Sequence, residues 1–121
     1  MYPASDITYV IRGSAFDVYN QLGPGLREFI YQRASVKKLS DKGLVYELEK
    51  EVNVAIDGVT LTKQKIDLLV AGQVLVEVKA KVSLLPLDEA QLITYLKVSG
   101  IKAGLLINFG SRPIQIKRFI Y

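Results

Sequence analysis

The 121-residue chain has neither cysteine nor histidine. Without cysteine there are no disulfides, no thiol nucleophile and no cysteine-based zinc site. Without histidine there is no Ser-His-Asp triad, no imidazole general base and none of the usual transition-metal sites. No apolar run approaches the ~20 residues of a membrane span. The first residues, Met-Tyr-Pro-Ala-Ser-Asp, lack the basic-then-apolar order of a secretory signal. A cytoplasmic protein with no membrane partner is the expectation. Internal repeats, low-complexity stretches and linkers are also missing. Hydrolytic chemistry in such a chain falls to carboxylates, lysines, hydroxyls and hard, oxygen-preferring metals.

What is present suits one compact domain over residues 1–121, since half the residues are apolar and 23% are charged. The charge is uneven. Residues 1–60 hold 7 basic and 8 acidic side chains, whereas residues 61–121 hold 9 and 4. The basic second half permits a polyanionic partner.

Apolar spacing predicts a first helix, capped by Ser5 or Asp6 and running to about Leu22. Ile7, Val10, Ile11, Ser14, Ala15, Val18 and Leu22 lie on its inner face. Gly23-Pro24-Gly25 ends it, and reads first as a helix–helix turn. A second helix is expected from about Leu26 to Lys42, with Leu26, Phe29, Ile30 and Leu39 as its core residues. Strands follow over Leu44–Ile56, Val59–Val70 and Val74–Val82, the first two joined at the Asp57-Gly58 turn signal. Pro86 opens a third helix that ends near Ser99-Gly100. The apolar run Ala103–Phe109 reads as a central strand covered on both faces, and Ile114–Ile120 as an edge strand. The order α-α-β-β-β-α-β-β gives an α/β fold, a mixed sheet flanked by helices.

The segment Lys63–Lys81 carries the most chemistry. If Val70 and Val74 close the turn Ala71-Gly72-Gln73, opposed residues have numbers summing to 144. One face is then wholly apolar, with Ile66 against Val78, Leu68 against Val76 and Val70 against Val74. On the other face Asp67 sits across from Glu77, and Lys65 across from Lys79. A one-residue slip destroys this separation. Opposed residues lie roughly 4.5–5.5 Å apart at Cβ, so two carboxylates there repel unless a cation, a proton or the nearby lysines offset them. Glu77-Val78-Lys79 is the sole acidic-x-Lys triplet in the chain. Two carboxylates can hold Mg²⁺, which polarises a phosphoryl oxygen and acidifies water. Lysine can orient or deprotonate that water, or stabilise charge on the phosphate. The same residues also fit a plain solvated sheet face with ordinary salt bridges.

Asp67 with Glu77-Val78-Lys79 resembles the core motif of the PD-(D/E)xK nuclease superfamily. Gly25-Leu26-Arg27-Glu28-Phe29-Ile30-Tyr31 resembles the motif of its small GxxExxY branch. Gln91-Leu92-Ile93-Thr94-Tyr95 resembles a Gln-x-x-x-Tyr motif of exonuclease-like branches, and Gly104–Phe109 has the family's look. The four segments occur in the family's order across nearly the whole chain. Ile66 stands where the superfamily's name has proline.

The resemblance implies a restriction-endonuclease-like fold and a Mg²⁺-dependent nuclease, with Mn²⁺ as a possible substitute and DNA as the expected substrate. It implies that Glu28, Asp67 and Glu77 hold the metal and that Lys79 acts on the water. Gln91 and Tyr95, which share a helix face as i and i+4, would support the site. Lys63, Lys65 and Lys81 are the expected phosphate contacts. Tyr31 is expected to pack rather than react. The alternatives are a catalytically silent nuclease fold that binds nucleic acid or a protein, and a partner subunit whose acids are surface charge. A homodimer would help so small a nuclease grip a duplex, but the sequence carries no dimer signal.

Overall fold

The computed structural model describes residues 4–121, with side chains from residue 6 onward. Helix α1 spans Ala4–Leu22 and α2 spans Glu28–Asp41. Strands β1 (Tyr46–Ile56), β2 (Val59–Val70) and β3 (Val74–Lys79) follow, then α3 (Pro86–Ser99), β4 (Ala103–Asn108) and β5 (Gln115–Ile120). Element order and type are as expected, and most boundaries lie within two residues. The exception is β3, which stops at Lys79 and not at Val82. Ser5 and Asp6 fall inside the first turn of α1, not at its cap, because the helix already begins at Ala4.

The strands form one sheet in the order β1-β2-β3-β4-β5. Only β3 and β4 pair in parallel, through the α3 crossover. Asp57 and Gly58 both take positive φ, 49° and 78°, as a two-residue turn demands. The helices cover opposite faces. Ile7, Ile11, Val18, Tyr31 and Leu39 pack with Val74, Val76, Val78, Leu105 and Ile107. Leu92 and Leu96 of α3 pack with Leu69, Leu75 and Leu106. All six residues of β4 are buried, as expected for a central strand.

Three expected core assignments need correction. Leu22 is exposed at the end of α1, Leu26 in the turn before α2, and Phe29 in the first turn of α2. The inner face of α2 is instead Tyr31, Ser35 and Leu39, a strict i, i+4 row. Ser35 tolerates burial because its hydroxyl donates to the Tyr31 carbonyl at 2.7 Å.

The β2–β3 pairing follows the expected register, with Leu68 opposite Val76, Leu69 opposite Leu75 and Val70 opposite Val74. The ladder then ends. Ile66 does not meet Val78, and Lys65 pairs with Glu51 of β1, not with Lys79. Leu68 belongs to the α1/α2 side, yet Ile66 packs on the α3 side. Residues two apart share a face in an uninterrupted strand, so β2 changes face at Asp67. Strand β1 does the same between Tyr46 and Val52. Glu49, which the register sets against Asp67, has φ 53°. The chain thus turns over at Glu49 and Asp67, and the hairpin continues beyond β3 as a two-stranded arm.

Candidate active site

Helix α2 is aimed by the turn before it. Gly25 takes φ 113°, a conformation closed to other residues without strain. The Tyr31 hydroxyl donates to the Gly23 carbonyl at 2.5 Å and accepts the Leu26 N–H at 3.1 Å. Its fully buried ring stacks on Phe109, with centroids 4.7 Å apart and planes 1° from parallel. Tyr31 is therefore a bolt between turn, helix and sheet, and it fixes where α2 begins.

Glu28 is the first residue of α2. Its side chain is largely exposed, but partial burial pushes its carboxyl above the usual range, and Asp67 adds to this while Lys79 and Lys81 oppose it. One turn on, Gln32 donates from Nε2 to Asp67 Oδ1 at 2.9 Å. Gln32 escaped the sequence reading because a glutamine on a helix carries no chemical signal of its own. Its spacing of four from Glu28 was the available clue.

Asp67 and Glu77 replace the missing ladder with side chains. The Asp67 N–H donates to Glu77 Oε1 at 2.9 Å, and the Val78 N–H donates to Asp67 Oδ2 at 2.8 Å. Each acid accepts a backbone N–H from the other's strand. Burial, and then the charge of Asp67, raise the Glu77 carboxyl to about 7, against the lowering effect of the Asp67 N–H and Lys79. Tyr95 is half-buried on α3, and its hydroxyl is pushed up by burial and by the Glu77 charge.

Lys79 and Lys81 meet a further acid that sequence reading missed. Asp88 Oδ2 lies 2.9 Å from Lys81 Nζ, and Asp88 Oδ1 lies 3.9 Å from Lys79 Nζ. The signal for Asp88 was positional: an acid two residues after the Pro86 that opens a helix, where it can cap the first turn. Asn108 is the other omission, a polar residue inside an apolar run. It is fully buried, accepts the Lys81 N–H at 3.0 Å and donates to the Lys81 carbonyl at 2.9 Å.

The remaining candidates spread out. Gln91 is exposed on α3 and, among the described residues, its side chain makes no hydrogen bond. Lys63 and Lys65 are exposed on the β1–β2 arm, opposite Asn53 and Glu51. They lie past the face change, so strand periodicity does not put them on the surface of Asp67 and Glu77. A cavity of about 460 Å³ borders the Lys81 segment, lined by Pro24, Gly25, Val82, Gly110, Ser111 and Arg112.

Among the described residues no three acids form a ready cage for a metal ion. The donor set nonetheless fits a hard divalent cation. Asp67 and Glu77 offer carboxylate oxygens, and their mutual repulsion leaves one of them poised to exchange a proton for a metal.

None of the curated proteins compared matches the chain. The crystal structure of SSO0001 superposes with a TM-score of 0.58 at 22% identity, over 75% of this chain and 48% of that one. The chain thus spans about half the length of SSO0001, and the likeness is one of fold. The profile of the PD-(D/E)XK nuclease superfamily matches residues 5–119, which takes in every strand and helix that holds Glu28, Asp67, Glu77 and Lys79. By that match, the chain belongs to the PD-(D/E)XK nuclease superfamily.

Proposed function

We propose that this chain is a divalent-metal-dependent nuclease of the GxxExxY branch that hydrolyses phosphodiester bonds, with DNA as substrate. The observation that carries this reading is the reciprocal Asp67–Glu77 pair, with Glu77 raised to about 7 and Lys79 within its electrostatic reach. A solvated structural face would have no reason to half-bury two repelling acids side by side.

Asp67 and Glu77, with Glu28 approaching from α2, would hold Mg²⁺ or Mn²⁺, which supplies Lewis-acid activation of the phosphoryl group and of the attacking water. Lys79 follows Glu77 by two residues, so it leaves β3 on the same side. There its ammonium stabilises negative charge on the phosphate and orients the water. Gln32 holds the Asp67 carboxylate in place, and Tyr95 limits water around Glu77. Lys81 adds positive charge at the rim.

A panel of single-stranded, duplex and branched DNA and RNA, incubated with Mg²⁺ or Mn²⁺, tests the reading. Metal-dependent cleavage that is lost in Asp67→Asn and Glu77→Gln supports it. Tight binding without cleavage on every substrate assigns the fold to a silent binding module instead.

A further inference from the structure

The two lysines beside the carboxylates share one anion. Asp88 is 7% exposed. Its Oδ2 accepts from Lys81 Nζ at 2.9 Å and from the Leu85 N–H at 2.8 Å, and its own N–H donates to the Leu85 carbonyl at 3.0 Å. The acid is thereby fixed to the first turn of α3. Lys81 is fixed from the other side. Asn108 clamps its N–H and carbonyl, and Gly110 packs so closely that a Cβ there would lie 2.4 Å from the Lys81 nitrogen. Lys79 is the one loosely held member, 3.9 Å from Asp88 and 20% exposed.

An ammonium released from Asp88 would stay close to Glu77, two residues away on the same side of β3, and its charge already acts on both Glu77 and Glu28. Salt bridges to those acids would cancel the negative charge that attracts a cation. We propose that Asp88 is a positioning residue for Lys79: its carboxylate holds the Lys79 ammonium off the Asp67–Glu77 pair, which leaves the acids for a divalent cation and the ammonium for the phosphate. This rests on the nuclease reading above. The contact to Lys81 and the helix cap account for the structural part of Asp88, so its effect on Lys79 is separable.

Asp88→Asn keeps an oxygen for the Leu85 N–H and removes the charge. The experiment is calorimetric titration of the full chain with Mn²⁺, in Asp88→Asn, Lys79→Met and the double variant. Asp88→Asn is expected to bind Mn²⁺ several-fold more weakly than the parent, and the double variant no more weakly than Lys79→Met. With substrate, kcat should fall about 10-fold or more while KM changes little. Unchanged Mn²⁺ affinity, or an equal loss in the Lys79→Met background, overturns the proposal. Should Asp88→Asn not fold, Lys81→Met leaves Lys79 as the sole ammonium on Asp88, and Mn²⁺ affinity should hold or rise; a several-fold loss overturns it. If the parent chain binds no Mn²⁺, the nuclease reading fails by itself. The lysine-ammonium NMR signals then decide the geometry: Lys79 must shift in Asp88→Asn, and an unmoved signal overturns the positioning role.

Discussion

Glu77 gives the site its pH dependence. Its folded-state value of about 7 lies above the unfolded 4.5, so protonation favours the folded chain. That stabilisation is complete below pH 4.5 and is lost as the pH rises through about 7. The metal-free protein should therefore lose roughly 2–3 kcal/mol between pH 5 and 8, in urea melts. Glu77→Gln should flatten that slope, because the amide oxygen still accepts the Asp67 N–H while the charge is gone. A metal-free slope that survives in Glu77→Gln would move the titration to another residue. Asp67→Asn removes the neighbouring charge and keeps an acceptor for Val78, so at pH 8 the metal-free variant should be at least as stable as the parent. Mg²⁺ should raise the Tm of the parent and not of Asp67→Asn. Lys79→Ala acts differently again. It should cost about 10²–10⁴-fold in cleavage, with the metal-induced rise in Tm retained. Full activity in that variant would remove Lys79 from the chemistry.

At the scale of elements, the start of α2 matters most, because Glu28 and Gln32 depend on where that helix begins. Tyr31→Phe keeps the stack on Phe109 and deletes the hydroxyl that ties Gly23 to Leu26. The expected loss is about 1–2 kcal/mol, seen as a fall of several degrees in Tm, together with weaker metal binding through a displaced Glu28. A loss of stability with metal affinity intact would make Tyr31 a packing residue only. Much of this architecture was legible in the sequence. The Val70–Val74 register followed from alternation around a three-residue turn, and Asp57-Gly58 announced its own turn. The face change at Asp67 was not legible, because Ile66, Leu68 and Val70 alternate without a flaw. The cause sits across the ladder, in the positive φ of Glu49, and a glutamate gives little warning of that conformation. The inner face of α2 was misread for a related reason. Phe29 is apolar yet exposed, beside the Arg33 guanidinium at 5.2 Å, while Ser35 is buried because its hydroxyl is satisfied locally. Hydropathy ranks residues by type, and here the hydrogen bond overrides the type. The acids and Lys79 were legible as a pattern. Their helpers Gln32, Asp88 and Asn108 were not, since each acts through a partner distant in sequence.

For the whole molecule, the three lysines expected to contact phosphate are divided between the site, with Lys81, and the β1–β2 arm, with Lys63 and Lys65. Lys81 is committed to Asp88, whereas among the described residues Lys63 and Lys65 make no ion pair. If the arm follows a nucleic-acid backbone, Lys63→Gln/Lys65→Gln should weaken binding alike on all sequences and lower the salt slope by about one per lysine. Lys81→Gln should lower it less. An unchanged slope in the double variant would place the phosphate track elsewhere.

The parallel β3–β4 pairing also sets a timetable. The Asp67–Glu77 hairpin closes over ten residues and can form as soon as both strands exist. The clamp on Lys81 spans 27 residues and waits for α3 to cross over and for β4 to dock. Loop closure of that length is slower, and parallel pairing follows local structure. A chain still emerging during synthesis would hold its acids together before its lysine segment is set, so the site would be complete only once β4 has docked.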